Sequence, residues 1–366
     1  MLNSQKEFLS LFGWDGFFES QNTNSIYHNL VPARVICEER NLYRVQLSFN
    51  NVAWASVSGK MQFNAMTRAN YPAVGDWVMV EANDQSDRVI IQHICPRKSV
   101  IQRKQVGSSA DIQILSANVD YVFVTTAVSG DLNFRRMERY LAVAWASGAT
   151  PIILLTKSDI CAEEIFDIAN KVREEFPGIE VYTLSMNEFE KAEFFSDYLR
   201  KGKTSVVIGS SGVGKSTLVN YLIGLEQIKT QGVREADGKG RHTTTSRSLY
   251  VSRYGGLIID TPGMRELQLA DHADGVSAQF ADIEGLTTGC RFTDCQHQTE
   301  PGCKIVEALE DDSLNEERWK SYQKLAAEVR HGLRKQNRAL ASEDRKLWKK
   351  MSINARNKGL GRRGVM

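Results

Sequence analysis

The stretch GSSGVGKST, residues 209–217, decides how the rest of this sequence is interpreted. It matches the phosphate-loop pattern, in which glycines let backbone N–H groups turn inward around phosphate oxygens. A strand-like segment, TSVVIG, precedes it, and a helix-like segment, STLVNYLIG, follows it. We therefore predict a nucleotide-phosphate site in which Lys215 contacts the β and γ phosphates and Ser216 coordinates Mg²⁺. The predicted binding residues of this loop are Gly209, Ser210, Ser211, Gly212, Val213, Gly214, Lys215, Ser216 and Thr217.

Two motifs downstream suit the hydrolysis of a nucleotide. Asp260-Thr-Pro-Gly263 follows the apolar segment GLIID, where a carboxylate can hold a Mg²⁺-bound water and a backbone amide can contact the γ phosphate. Residues 238–248, GKGRHTTTSRS, lie between the two motifs and predict a switch loop that closes when a threonine joins Mg²⁺ and the γ phosphate. Thr243 and Thr244 are the candidates. The predicted magnesium ligands are Ser216, Thr244 and Asp260.

A base-reading motif stands before the phosphate loop rather than after it. LLTKSD, residues 154–159, ends fifty residues ahead of Gly209. An aspartate can accept hydrogen bonds from the two guanine donors that adenine does not present, so Asp159 predicts guanine recognition, with the Lys157 side chain lying along the base. Thr156 occupies the place of the usual asparagine, whose amide normally braces the loop. Ser158 completes the predicted base loop.

The surroundings of these motifs alternate between strands and helices. YVFVTTAV, PIILLT, EVYTLS and TSVVIG are apolar strand segments, and helices are predicted over 134–148, around 163–176, near 189–201 and over 216–224. This alternation specifies a doubly wound α/β sheet, whose site forms at the carboxyl ends of the strands. Both nucleotide motifs fall on such ends.

The N-terminal region predicts a small β-barrel. Residues 34–93 contain five short segments rich in β-branched and aromatic residues, a number and spacing that suit an OB-fold. The connection over 60–75 carries Lys60, Phe63, Arg68 and Tyr71, which form either a nucleic-acid surface or a plug at the barrel end. The preceding segment FLSLFGWDGFF either packs on a core or docks a partner.

Four residues near the C-terminus have metal-ligand spacing. Cys290, Cys295, His297 and Cys303 supply three thiols and one imidazole, a complete tetrahedral set for a structural Zn²⁺ site. SLNE, residues 313–316, predicts a capping box that starts a helix. Apolar residues follow it at helical spacing, namely Trp319, Tyr322, Leu325, Ala326 and Val329.

Charge is unevenly distributed along the chain of 366 residues. The net charge is +2, yet residues from Arg330 onward carry 12 Lys or Arg against Glu343 and Asp344. This tail suits a polyanion such as RNA, although a merely solvated tail remains the alternative. The start carries charges where a signal peptide would be apolar, and no long apolar run occurs. We expect a cytoplasmic protein that has no contact with a membrane.

The order of these motifs resembles a known family. A small barrel, a base reader, a phosphate loop, a threonine switch, DTPG and a Cys/His cluster, over roughly residues 34–330, are similar to the circularly permuted ribosome small-subunit-dependent GTPase A family. The resemblance implies an OB-fold, a permuted GTPase domain that binds GTP or GDP, a mostly helical zinc domain, and late maturation of the small ribosomal subunit. The expected division is an N-terminal extension (1–33), an RNA-binding OB-fold (34–105), a GTPase domain (106–280), a zinc domain (281–330) and a basic tail (331–366).

Met264 stands where many GTPases have a glutamine that orients the attacking water. The family that this sequence resembles also has an apolar residue at this position. His242 is a candidate substitute, and an exposed or RNA-facing histidine is the alternative. We expect a monomer that binds the rRNA of the small ribosomal subunit. Its basal GTP hydrolysis should be slow and should rise when it is bound to that subunit. Two rivals remain, an RNA-binding regulator with a nucleotide switch and negligible catalysis, and a phosphate-loop kinase of a small metabolite.

Overall fold

The computed structural model describes residues 2–21, 29–39, 42–65, 67–81, 88–104, 112–129, 132–185, 192–224, 247–260, 273–298 and 300–331. Several predicted features lie outside these ranges. They are His242, Thr243, Thr244, Gly263, Met264 and the tail from residue 332.

A closed five-stranded barrel forms the N-terminal region. Strand β1 pairs with β2, β2 with β3, β3 with β5, β5 with β4, and β4 returns to β1. Side chains alternate between the barrel interior and the surface, as the sequence pattern predicts. The OB-fold prediction is confirmed. The strands are β1 Val31–Glu39, β2 Leu42–Ser48, β3 Asn51–Val57, β4 Trp77–Glu81 and β5 Arg88–Ile94.

The N-terminal segment packs on a core, which decides between its two interpretations. Helix α1 (Leu2–Leu11) buries Phe8 and helix α2 (Gly16–Gln21) buries Phe18, whereas Phe17 of α2 is exposed. Trp77 is the first residue of β4. The ring centres of Phe8 and Trp14 lie 6.4 and 4.9 Å from that of Trp77, and both rings meet it nearly edge-on. Edge-to-face aromatic contacts add specificity to the burial itself.

The connection between β3 and β4 is more structured than a loop. It contains helix α3 (Gly59–Asn64) and a single 3₁₀ turn at Arg68–Asn70. Phe63 on α3 is 91% exposed, so it does not plug the barrel.

The central sheet has the strand order β10-β9-β8-β11-β13-β12. All pairings are parallel except that of β12 with β13. Successive side chains of β8 enter two different cores, one beneath helices α4 and α5 and one beneath α6 and α7. The doubly wound prediction is therefore confirmed. These elements are β8 Tyr121–Ala127, α4 Phe134–Ala146, β9 Thr150–Thr156, α5 Ile165–Glu175, β10 Glu180–Leu184, α6 Phe195–Tyr198, β11 Thr204–Gly209, α7 Lys215–Ile223, β12 Ser248–Val251 and β13 Leu257–Asp260.

Two features of this region differ from the prediction. The helix predicted near 189–201 is a single described turn, α6, because Gly202 with φ +80° and the turn before it lead directly into β11. The segment between the barrel and β8, for which no strand was predicted, contains β6 (Val100–Lys104), which pairs with β7 (Ile112–Ala117) in a separate ladder.

Strand β12 joins the barrel to the central sheet, which the sequence did not predict. Ser248 pairs with Asp260 on one side and with Cys37 of β1 on the other. Arg247 adds an ion pair to Glu38, with 3.3 Å between Nη1 and Oε2. The barrel and the central sheet thus form one sheet of 11 strands.

Within residues 273–298 and 300–331, the C-terminal region has four helices, namely α8 Ala273–Gln279, α9 Ala281–Thr288, α10 Lys304–Glu310 and α11 over 316–331. The predicted helical face of α11 is correct, since Trp319, Leu325 and Val329 are buried. The predicted capping box is wrong. Asn315 caps α11, because its Oδ1 accepts from the Glu317 amide at 2.7 Å, whereas the Ser313 hydroxyl donates to the Ala308 carbonyl. Among the described residues, no helix is long and apolar enough to cross a membrane.

Candidate nucleotide and metal sites

The three nucleotide motifs that the structure describes meet at one edge of the central sheet. Thr156, Gly209 and Asp260 are the last residues of β9, β11 and β13. These strands run parallel, with β8 between β9 and β11, so all three ends point the same way. The motif order along the chain therefore leaves the predicted site assembled.

The phosphate loop has a backbone that requires glycine. Gly209 adopts φ +152°, and a Cβ there would lie 2.2 Å from the Thr125 carbonyl oxygen. Gly212 and Gly214 also have positive φ, at 82° and 93°. Helix α7 begins at Lys215, so its first N–H groups and the positive end of its dipole face the loop. This arrangement is typical of a phosphate cradle.

The side chains of the loop are placed for phosphate and metal. Lys215 Nζ donates to the Ser210 carbonyl and so lies across the loop. Ser216 and Thr217 are exposed in the first turn of α7, and Val213 is buried beneath. Asp260 is half-buried at the end of the neighbouring strand. Its carboxylate and the Ser216 hydroxyl are oxygen ligands of the type that Mg²⁺ prefers.

The base-reading loop is held in an unusual conformation. Lys157 has φ 59° and ψ 37°, a left-handed geometry that is uncommon for a residue other than glycine. The 3₁₀ turn Ser158–Cys161 follows directly, and Asp159 lies exposed within it. The turn places Asp159 just beyond the end of β9, at the sheet edge where the phosphate loop begins.

Thr156 supplies the brace that an asparagine would otherwise provide. Its side chain is fully buried, and its hydroxyl lies 2.7 Å from the Val213 carbonyl oxygen of the phosphate loop. The Thr126 carbonyl oxygen is a second acceptor at 3.2 Å. The hydroxyl can therefore tie the base-reading strand to the phosphate loop. The loop therefore has a side-chain brace although the usual asparagine amide is absent.

The Cys/His cluster has the geometry of a tetrahedral metal site. The ligand atoms of Cys290, Cys295, His297 and Cys303 all lie within 4.8 Å of one another. His297 Nδ1 is 3.5 Å from both the Cys290 and the Cys303 sulfur, and these two sulfurs are 3.9 Å apart. Tetrahedral zinc with ordinary bond lengths places two sulfurs about 3.8 Å apart and sulfur and nitrogen about 3.6 Å apart.

A carboxylate fixes the turn that carries the histidine. The Glu300 carboxylate accepts from the amides of Gln296 and Gln298, both at 2.8 Å. His297 between them has φ 58°. The Trp319 ring of α11 meets the imidazole edge-on at 5.7 Å. No sequence pattern predicts a role for Glu300, because that role depends on a turn whose shape is set by the cluster.

Comparison with known proteins identifies the family. The family model described as RsgA GTPase matches residues 94–270. The chain is 45% identical to the small ribosomal subunit biogenesis GTPase RsgA 1 of Oceanobacillus iheyensis, over 88% of this chain and 91% of that protein. It is 40% identical to the protein of that family from Opitutus terrae, over 94% of this chain and 95% of that protein. The chain belongs to the RsgA GTPase family.

Solved structures of the same architecture agree with the fold. The crystal structure of YloQ, a circularly permuted GTPase, has a TM-score of 0.60 at 24% identity and covers 84% of this chain and 98% of that chain. YjeQ from Thermotoga maritima has a TM-score of 0.61 at 23% identity, over 82% and 98% of the two chains. A second family model, 50S ribosome-binding GTPase, matches only residues 204–339. That match begins at β11, as expected where a chain in permuted order is compared with an unpermuted domain.

The brace between the two loops can be tested by Thr156→Val. The substitution leaves the buried Val213 carbonyl without its donor, and an unsatisfied buried acceptor costs about 1–3 kcal/mol. We expect the dissociation constant for GDP to rise about tenfold, measured by titration of a fluorescent GDP derivative. Thr156→Ser keeps a hydroxyl and should stay near the parent value.

Thr183→Val is the matched control, since Thr183 is exposed on β10 beside Leu155. Equal GDP affinity in Thr156→Val and Thr183→Val would show that the hydroxyl does not position the loops.

Proposed function

We propose that this protein hydrolyses GTP and acts in the cytoplasm in the late maturation of the small ribosomal subunit. The observation that carries the proposal is the meeting of the base reader, the phosphate loop and the Asp260 carboxylate at one sheet edge, in a chain of the RsgA family. The curated relatives are named small ribosomal subunit biogenesis GTPases, and each match covers most of this chain and most of the relative. One chain supplies all three motifs, which supports action as a monomer.

The residues at the sheet edge support roles in the reaction. Asp159 would accept from the guanine edge, and the left-handed Lys157 backbone sets the position of that carboxylate. The α7 amides and Lys215 would hold the β and γ phosphates. Ser216 and Asp260 would hold Mg²⁺, which would neutralise charge on the phosphate oxygens. Thr243, Thr244, Gly263 and the water-positioning His242 belong to the proposal and lie outside the described residues.

We also infer that the Cys/His cluster holds one Zn²⁺. The donor set of three thiols and one imidazole favours zinc in a closed structural site, because no ligand position is left for water. Elemental analysis of protein purified without added metal should give about one zinc per chain. Cys303→Ala should lower this value and release the packing of α10, which begins directly after Cys303. Iron or no metal in the folded parent protein would contradict the assignment.

The barrel surface supports contact with rRNA. Arg44, Trp54 and Arg88 lie directly opposite one another on β2, β3 and β5, and all three are exposed. The Arg44 guanidinium is 5.9 Å from the Trp54 ring centre. An aromatic face between two cations suits a stacked base with its flanking phosphates. The basic tail would add electrostatic affinity.

Trp54→Ala tests this surface. Loss of one stacked base costs about 1–3 kcal/mol, so the affinity for small subunits should fall about tenfold or more while basal GTPase activity stays unchanged. Trp54→Phe should recover part of the affinity. Phe166→Ala, which removes an exposed ring from α5, is the control. If the Trp54→Ala protein bound subunits as tightly as the control, the surface of Arg44, Trp54 and Arg88 would not be part of the interface.

The function itself is tested by multiple-turnover GTP hydrolysis with purified small subunits, with large subunits and with neither. We expect slow basal hydrolysis that rises at least tenfold only with small subunits. Large subunits are included because the second matching family model is described as a 50S ribosome-binding GTPase. Subunit binding with no stimulated turnover would favour a nucleotide-gated regulator. Competition by ATP as effective as by GTP would favour the kinase alternative.

A further inference from the structure

A polar cavity of about 240 Å³ lies on the side of the central sheet opposite the nucleotide motifs. The first residues of β8, β9 and β11, which are Tyr121, Thr150 and Thr204, line it. The cavity lies where the N-terminal segment, the barrel and the GTPase-like domain meet, since all three contribute to its wall. Arg34, Lys98, Asn118, Asp120 and Lys203 supply further polar groups of its wall, and Gly13 lines it from the N-terminal segment.

Arg34 of β1 is the central feature of this cavity. Its side chain is buried, with the residue only 1% exposed. One terminal nitrogen, Nη2, donates to the Asn118 carbonyl at 3.3 Å and to the Thr204 hydroxyl at 3.2 Å. Its Nε has no hydrogen-bond partner, and Arg34 belongs to no ion pair among the described residues. Burial lowers the pKa of Arg34 to about 10.

The carboxylates around Arg34 are each paired with another cation. Asp120 accepts from Lys203 at 2.9 Å, and Asp76 pairs with Arg97 at 2.7 Å. Asp15 pairs with Lys98. In the part of the chain that the structure describes, Arg34 is therefore the cation of this group without a carboxylate partner, and it is the buried one. A buried charge with neither counterion nor full hydrogen bonding is costly, so a buried guanidinium that borders a cavity calls for an anion there.

We propose that this cavity binds a small oxyanion of the phosphate class, held by Arg34, Lys98 and Lys203. The size is suitable, because a volume of 240 Å³ accepts a phosphate group together with a few waters. Arg34 supplies the unbalanced positive charge for such an anion. The Lys98 and Lys203 ammonium groups are paired with Asp15 and Asp120, and each has further N–H donors for the oxygens of the anion. The bound anion would join the N-terminal segment to the barrel and the central sheet. This site is independent of the proposed function and of the GTP site.

The test uses the full-length protein saturated with Mg²⁺ and a non-hydrolysable GTP analogue, so that phosphate cannot occupy the phosphate loop. Inorganic phosphate is titrated against chloride at constant ionic strength and followed by calorimetry and ³¹P NMR. We expect one saturable site with a dissociation constant below about 1 mM. A parallel titration with glycerol 3-phosphate separates a site for the free anion from one for a phosphate ester.

Lys203→Met should weaken phosphate binding about tenfold or more, since it removes one charge-assisted contact. Lys201→Met is the matched control. Lys201 lies two residues away, pairs with Glu7 and does not line the cavity. Lys98→Met, at a partly exposed position, is a second variant that should fold even if Lys203→Met does not. Binding only at tens of millimolar, or equal binding in the Lys98, Lys203 and Lys201 variants, would mean an adventitious ion only and would overturn the proposal.

Discussion

The four-residue strand Ser248–Val251 holds the two halves of the molecule together, because it is paired on both edges. Ser248 lies between Cys37 of the barrel and Asp260 of the nucleotide edge. A strand with partners on both sides shifts only if both ladders break or move with it. The predicted switch segment, residues 238–248, ends in this strand. Its far end is therefore fixed to the barrel and to a predicted magnesium ligand at once.

A second junction connects the C-terminal helices to the central sheet. Arg318 of α11 forms two hydrogen bonds with the Asp282 carboxylate, at 2.9 and 2.8 Å. It also donates to the carbonyls of Glu175 at the end of α5 and Gln279 at the end of α8. Since helix ends leave carbonyls without intrahelical partners, one buried guanidinium satisfies two of them and orients three helices. The barrel and the metal cluster are thus linked to the nucleotide domain by different contacts.

The sequence predicted those features that depend on local pattern. The phosphate loop, the alternation of strands and helices, the barrel strands and the four clustered ligands each follow from spacing within a short segment. What it missed depends on partners distant in the chain. Strand β12 is short, and its partner β1 lies more than 200 residues away in the chain, so no periodic pattern in the sequence predicts this pairing. The misplaced helix cap is a local difference: α11 begins at residue 316, so Asn315 and not Ser313 stands at the cap position and accepts from the Glu317 amide.

Thr156 shows why the altered motif order is compatible with a complete site. The chain passes from the base reader through α5, β10 and α6 before it returns as β11, yet the Thr156 hydroxyl lies 2.7 Å from the phosphate loop. That contact depends on where two parallel strands end and not on which strand comes first. A permutation that keeps strand neighbours keeps such bonds, because each strand end still faces the same neighbour. The side chain at this position needs only a donor that reaches Val213, and a threonine fully buried at the strand end provides one.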